Sequence, residues 1–310
     1  MCVLIVLRIK SVFFKVKFCR HNQLFGRYLL NRYIETGQFN AVGAHGRARS
    51  VLDTLLDRGD LVMKSTRDPE VYRRELPVLH AMRGFAGFPL LYDYFTTPPA
   101  FGDVEYCFVT DYGGECIDDI ARRSGGRFSH SNIMRISFQL LWALETLHQR
   151  GFVHRDVHCG NVLLRREFDG VVRLKIIDFG LSLPRYPLPY PEINMTSWHA
   201  SLQVCRGEAY SRFDDLISAI FLPMWFIPVD PFGGVRAEYL QKKITFDANP
   251  HSWFPEELEW IADLYTEVNI QRTSGFSHTD LFDFFYRTDP EFDPTSPIVY
   301  RVENNQLILE

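Results

Sequence analysis

Two short motifs constrain this chain more than any other feature: His154-Arg155-Asp156-Val157-His158-Cys159-Gly160-Asn161 and Asp178-Phe179-Gly180. An aspartate and an asparagine five apart are followed, 22 residues after the first, by a second aspartate beside a glycine. Hard side-chain oxygens drawn from two loops in this way can converge on one phosphate and its magnesium. In that reading Asp156 accepts or orients the proton of an attacking hydroxyl, and Asn161 and Asp178 hold the metal. The bland alternative makes the two aspartates surface loop acids and Asn161 a turn cap. Both motifs occurring in order, each with matched flanks, weighs against it.

Hydrophobic periodicity divides the rest of the chain. From about residue 27 to 64, short β-like runs at Tyr33–Ile34, Ser50–Leu56 and Leu61–Lys64 are separated by turn residues, with Asp57-Arg58-Gly59-Asp60 read as the turn between the last two. A helix is expected over Val71–Met82, then strands at Leu90–Phe95 and Tyr106–Thr110. Beyond residue 114 the pattern is mainly helical: Ile133, Ile136, Leu140, Leu144 and Leu147 share one face, with Ser129 as cap and Gly151 as stop. Phe254-Pro255-Glu256-Glu257 opens another helix. The expected class is α+β with two lobes, a small β-rich one and a large α-helical one. The expected boundaries are an extension over 1–26, a domain over 27–288 with lobes at about 27–110 and 114–288, and a tail over 289–310.

Composition narrows the partners. A formal net charge of −4 over 310 residues provides no field for nucleic acid, so none is expected as a partner. Six cysteines at 2, 19, 107, 116, 159 and 205 form no Cys-x-x-Cys pair, which points to reduced thiols and a cytoplasmic or nuclear setting. The apolar start, Met1 to Leu7, is followed by Arg8, Lys10, Lys15 and Lys17 instead of being preceded by them, unlike a signal peptide, and it is too short to span a bilayer. Alternation at Val12, Phe14, Val16 and Phe18 reads as a strand; the competing reading is weak peripheral contact of residues 1–20 with anionic lipid. A monomer without a transmembrane segment is expected.

Upstream, Lys64 ends the apolar run Leu61-Val62-Met63, where a lysine could reach nucleotide phosphates. Glu75 lies on the next helix and is the expected partner of Lys64; Glu70, just after Pro69, suits the first turn instead. Taken singly, each is more often a solvated surface group.

With these residues in place, the chain resembles the casein kinase 1 group of protein kinases, which includes the tau-tubulin kinases, over roughly residues 27 to 288. The specific marks are Glu75 through Pro89, Gly151 through Val157, Ile177-Asp178-Phe179-Gly180-Leu181, Ser211-Arg212-Phe213-Asp214-Asp215-Leu216, and Ser201-Leu202-Gln203 in place of the group's Ser-Ile-Asn-like element. The resemblance implies a bilobal protein kinase fold, ATP with Mg2+, serine or threonine hydroxyls of a protein substrate, and Asp215 anchoring the catalytic loop from a buried helix. It also puts Thr110 at the back of the ATP site, with Asp111, Tyr112 and Gly113 along the adenine edge, and it makes Gly43, 21 residues before Lys64, and Gly46 the phosphate-covering loop.

Four departures accompany the resemblance. Only two glycines stand where Gly-x-Gly-x-x-Gly is usual; the segment from Asp178 to Ser201 is short; Trp198 replaces an arginine; and His158 replaces the catalytic-loop lysine. The alternative to an active serine/threonine kinase is therefore a weakly active or inactive scaffold, a pseudokinase that still binds ATP. A small-molecule phosphotransferase of related fold is a third. Three lesser features have bland readings: Asn194-Met195-Thr196 as an unused glycosylation acceptor, His148 as a solvated or dipole-paired helix end, and Cys159 as an ordinary thiol.

Overall fold

The structure, a computed structural model, describes residues 4–9, 12–17, 32–43, 46–97, 103–184 and 197–310. The chain divides into two compact units, residues 1–72 with 91–112, and residues 73–90 with 113–310. The first carries the five-stranded sheet and the second most of the helices with several short strands, the α+β organisation expected from periodicity.

Unit 1 opens with an antiparallel hairpin of β1 (Leu4–Ile9) and β2 (Val12–Lys17), so the alternating run at Val12 does form a strand. Among the described residues, β3 (Tyr33–Gly43), β4 (Gly46–Asp53), β5 (Arg58–Thr66), β6 (Leu91–Thr96) and β7 (Tyr106–Asp111) build one antiparallel sheet in the order β3-β4-β5-β7-β6. Period-two alternation puts Leu61 and Met63 of β5 and Cys107 and Val109 of β7 into one apolar cluster with Val51 and Tyr33. Arg32 clamps the start of β3 by reaching Asp53 at 2.7 Å and Asp93 at 2.9 Å, and the Tyr33 hydroxyl donates to Asp93 at 2.8 Å.

Two sequence expectations change here. Only Tyr33–Ile34 reads as strand in this region, yet β3 runs for 11 residues; all but Tyr33 are exposed, and a bulge falls between Glu35 and Asn40, so no apolar alternation marks it. The turn is residues 54–57, and Arg58, Gly59 and Asp60 belong to β5. Asp53 sets that turn by accepting from the N–H groups of Leu55 and Leu56.

Helix α1 (Pro69–Ala81) runs out of unit 1 and into unit 2. Unit 2 continues with β8 (Glu115–Cys116), α2 (Ile117–Arg123), α3 (His130–Gln149), β9 (Phe152–Val153), β10 (Val162–Arg166), β11 (Val172–Ile176) and β12 (Leu183–Pro184). It ends with α4 (Leu202–Cys205), α5 (Arg212–Phe221), α6 (Tyr239–Ala248), α7 (Trp260–Ser274), α8 (His278–Thr288), β13 (Tyr300–Glu303) and β14 (Gln306–Leu309). The five apolar residues of α3 named above are all buried. Ser129 occupies the cap position of α3 without a side-chain cap bond, and Gly151 follows the helix in the left-handed region at φ 87°. The helix expected from Phe254 starts with a 3-10 turn over Glu256–Leu258 before α7 begins.

The segment 289–310 is not a detached tail. Ile298, Leu307, Ile308 and Leu309 are buried, Asn132 of α3 bonds the backbone of Val299 and Glu310, and the Ser129 N–H donates to the Glu310 carbonyl at 2.6 Å. The sequence reading set it apart because the family resemblance ends at about residue 288. Among the described residues no helix is long and apolar enough to cross a membrane.

Candidate active site

The catalytic-loop motif follows β9 and is organised from below by Asp215. This side chain is fully buried on α5, a helix whose residues are all buried except Phe213. Its Oδ2 accepts from the His154 N–H at 2.8 Å and from His148 Nε2 at 2.8 Å; its Oδ1 accepts from the Arg155 N–H at 2.8 Å and the Tyr210 hydroxyl at 2.6 Å. Burial alone would raise the pKa of this carboxyl, but the hydrogen bond and charge of His148, the charge of His154 and the Tyr210 hydroxyl hold it below the ordinary range. The two backbone bonds matter because Arg155 sits at φ 72°, a left-handed conformation that costs a non-glycine residue of order 1 kcal/mol or more. Asp215 offsets that strain and aims the next residue.

That next residue is Asp156. Asn161, in a short 3-10 turn over Cys159–Asn161, donates its Nδ2 to the Asp156 carbonyl at 2.9 Å and to Oδ2 at 3.1 Å. His158 Nε2 lies 3.6 Å from Oδ2, and His199 Nε2 lies 3.6 Å from Oδ1. The Gly160 N–H donates to His158 Nδ1 at 3.0 Å, so in the neutral ring the proton sits on Nε2 and faces the carboxylate. Burial opposes ionisation of Asp156, but the two imidazoles outweigh it and hold the pKa far below the usual carboxylate range. His199 is held below the ordinary imidazole value, because burial dominates its pairing with Asp156. Asp156 is thus an anion at neutral pH, with an imidazole nitrogen 3.6 Å from each of its carboxylate oxygens.

The second motif lies alongside. The Ile177 N–H donates to the Asn161 carbonyl at 3.0 Å, and buried His154 bridges the two loops: its Nδ1 accepts from the Asp156 N–H at 3.3 Å while Nε2 faces the Ile177 carbonyl at 3.1 Å. Phe179 is fully buried, stacked on Phe88 and tilted against His154. Asp178, at φ 64°, accepts from the Gly180 N–H at 3.3 Å. Because Asn161 spends its amide nitrogen on Asp156, its Oδ1 is the atom left to meet a hard cation, and the Asp178 carboxylate is carried on the neighbouring strand of chain. The donor chemistry fits magnesium shared with phosphate oxygens. Among the described residues no group of three or more His, Cys, Asp or Glu could hold a metal without such a ligand.

The element Ser201-Leu202-Gln203 opens α4. Ser201 Oγ accepts from the Val204 N–H and donates to Asp214 Oδ1 at 2.6 Å; Asp214 also meets Arg272 at 2.9 Å and forms a capping box with Ser211. Arg212 pairs with Glu145 of α3.

The remaining predicted residues are placed by their own units. In unit 1, Lys64 stands on β5 opposite Ala48 and Phe108, and Asp111 ends β7 opposite Leu61. Gly43 and Gly46 face each other where β3 and β4 meet. In unit 2, Glu75 is buried on α1, and at Gly113 a Cβ would come 2.7 Å from the Leu163 side chain. The structure therefore assembles Asp156, His158, Asn161 and the backbone beside Asp178 into one hydrogen-bonded cluster. Sequence reasoning missed His199 and Tyr210, which carry no motif of their own. His148 was misjudged: it is fully buried against Asp215, and its place at a helix end hides a partner 67 residues away. Cys159 agrees with the bland reading, its thiol pushed up to about 12 by burial. Asn194 lies outside the described residues, as do Ala44 and His45 and most of the segment between Asp178 and Ser201.

An aspartate–asparagine loop fastened to a buried aspartate, followed by Asp-Phe-Gly, defines a phosphoryl-transfer site of the kinase type. The family model described as protein kinase domain matches residues 60–247, and the chain belongs to that family. Relatives include CDPK-related kinase 4 of Arabidopsis thaliana, 29% identical over 76% of this chain, and CTD kinase subunit alpha of Schizosaccharomyces pombe, 32% identical over 49%. The alignments span 39% and 26% of those proteins, so this chain resembles only part of each. Neither bears a casein kinase 1 name.

Proposed function

We propose that this chain is a serine/threonine protein kinase related to the casein kinase 1 group, moving the γ-phosphate of ATP to a protein hydroxyl. Asp156 orients the acceptor hydroxyl and draws off its proton. Asn161 Oδ1 and the Asp178 carboxylate hold magnesium, which when bound neutralises charge on the phosphates. Lys64 contacts the α and β phosphates, and Gly43 and Gly46 cover them; Glu75, Asp111 and Gly113 take the roles that the resemblance implies; and His158 donates toward the reacting centre. The observation that carries this reading is the Asp156 carboxylate, ionised, anchored through Asp215 and met by Asn161 and two imidazoles.

One observation favours a second reading, a kinase-fold scaffold with little turnover: His158 supplies an N–H donor where the group has a permanent cation. Turnover of magnesium-ATP on casein by purified protein, with an Asp156→Asn control, separates the two. The proposal expects phosphate incorporation that falls at least roughly a hundred-fold in the control. Equal, background-level incorporation by both proteins would leave the scaffold.

A further inference from the structure

Lys243 is a buried lysine whose place the site chemistry above does not explain. Its side chain is 1% exposed on α6, with Nζ 3.8 Å from the ring centre of Phe232 and 4.3 Å from that of Phe221. Among the described residues no carboxylate comes within ion-pair range of it. Burial draws its pKa down to about 7, with only the Cys205 thiol opposing. A methionine of the same length would fill this aromatic box without the desolvation cost of an ammonium, so packing does not call for a cation here. The polar partner Lys243 does have is a backbone oxygen: Nζ donates to the Trp198 carbonyl at 2.8 Å.

That oxygen belongs to the peptide plane joining Trp198 to His199. Because the peptide is rigid, holding its carbonyl fixes the His199 nitrogen and constrains the direction in which the His199 side chain leaves the backbone. Trp198 is fastened at its other end as well: its indole Nε1 donates to Asp230 at 3.2 Å, and its ring packs edge-on against Trp225 and Phe232. His199 then lies 3.6 Å from Asp156 Oδ1, with its ring 5.1 Å from that of His158 and its Nε2 3.3 Å from Ser197 Oγ. We propose that Lys243 is a positioning residue for phosphoryl transfer, pinning the Trp198 carbonyl from its buried seat so that His199 is held against the Asp156 carboxylate. This rests on reading Asp156 as the group that orients the acceptor hydroxyl.

The test is a double-mutant cycle of Lys243→Met and His199→Ala on the full chain, read by steady-state kinetics on casein and by NMR of the His199 ring, assigned from its loss in His199→Ala. Lys243→Met is expected to lower kcat roughly ten-fold with KM for ATP unchanged, since displacing a positioned group costs rate before it costs binding. The double variant should be no slower than His199→Ala alone, because both changes remove the same contact. Lys243→Gln, which keeps a donor for the Trp198 carbonyl, should recover most of the loss, and it takes the place of Lys243→Met in the cycle if the methionine variant lacks a cooperative melt. Additive losses in the double variant, or a Lys243→Met enzyme within two-fold of wild type, would overturn the proposal. A wild type without turnover would count against the kinase reading and not against the positioning role, which the NMR arm then decides: a His199 signal that moves in Lys243→Met supports it, and an unmoved one rejects it.

Discussion

At the scale of single residues, the site is a set of polar groups placed where water cannot compensate an error. At His158, where the resemblance expects a lysine, the Gly160 N–H donates to Nδ1 and leaves Nε2 as the ring's donor, 3.6 Å from Asp156 Oδ2. A neutral donor is still weaker than a fixed cation at a phosphoryl centre. His158→Lys should therefore raise kcat near pH 7.5 by roughly ten-fold or more; steady-state rates on casein check this, and an unchanged kcat would mean that another group already supplies the charge. Lys243 makes a separate prediction about stability. Its pKa is about 7 in the folded chain against an ordinary value of 10.5, so between those limits the unfolded state binds more protons and stability rises with pH. Below about pH 7 both states carry the proton, and the cost of the buried charge is fully present. Lys243→Met should remove this slope, so the stability difference between variant and wild type, measured by urea melts, should shrink by on the order of a few kcal/mol from pH 7 to pH 10. Taking the difference cancels the buried thiols of Cys107 and Cys159, which titrate in the same range.

At the scale of elements, the two glycines of the β3–β4 hairpin differ in what the fold asks of them. Gly46 adopts φ 146°, and a Cβ there would stand 2.3 Å from the Ser65 carbonyl oxygen of β5, so the close approach of two strands requires glycine. Gly43 has no such demand: among the described residues the nearest atom to its Cβ would be the Gly46 oxygen at 3.9 Å. Gly46→Ala should cost roughly 1–3 kcal/mol of stability, lowering Tm with or without nucleotide. Gly43→Ala should leave Tm unchanged and, if the hairpin covers phosphate, reduce the Tm increase that magnesium-ATP produces by stabilising the native state. An unchanged increase would show that the hairpin does not cover the phosphates.

At the scale of the whole molecule, unit 2 is closed by residues far down the chain. Ile298, Leu307, Ile308 and Leu309 are buried, and the Leu307 and Leu309 N–H groups donate to Glu115 and Ser124 around α2. Burying an aliphatic side chain contributes about 1.5–3 kcal/mol, so removing residues 298–310 should cost a large part of a typical domain's 5–15 kcal/mol. The truncated chain is expected to melt at least roughly 10 °C lower. A truncated chain melting with the full one would show that the C-terminal hairpin adds nothing to unit 2.

The sequence by itself determined the residues of the catalytic loop, the Asp-Phe-Gly motif, the α+β division, Asp215 through its resemblance, and most strands and helices with a buried face. Such signals are local: spacing within a loop, or apolar periodicity along one element. It left β3 almost invisible, because a strand exposed along nearly its whole length has no face to write into the alternation. It could not show that His148, Tyr210 and two backbone amides meet on Asp215, that His199 reaches Asp156, or that Lys243 is buried against the Trp198 carbonyl. These contacts join residues as much as 67 positions apart through groups that carry no periodicity, and only the packing of helices, loops and aromatic rings in unit 2 decides which polar atoms face each other away from water.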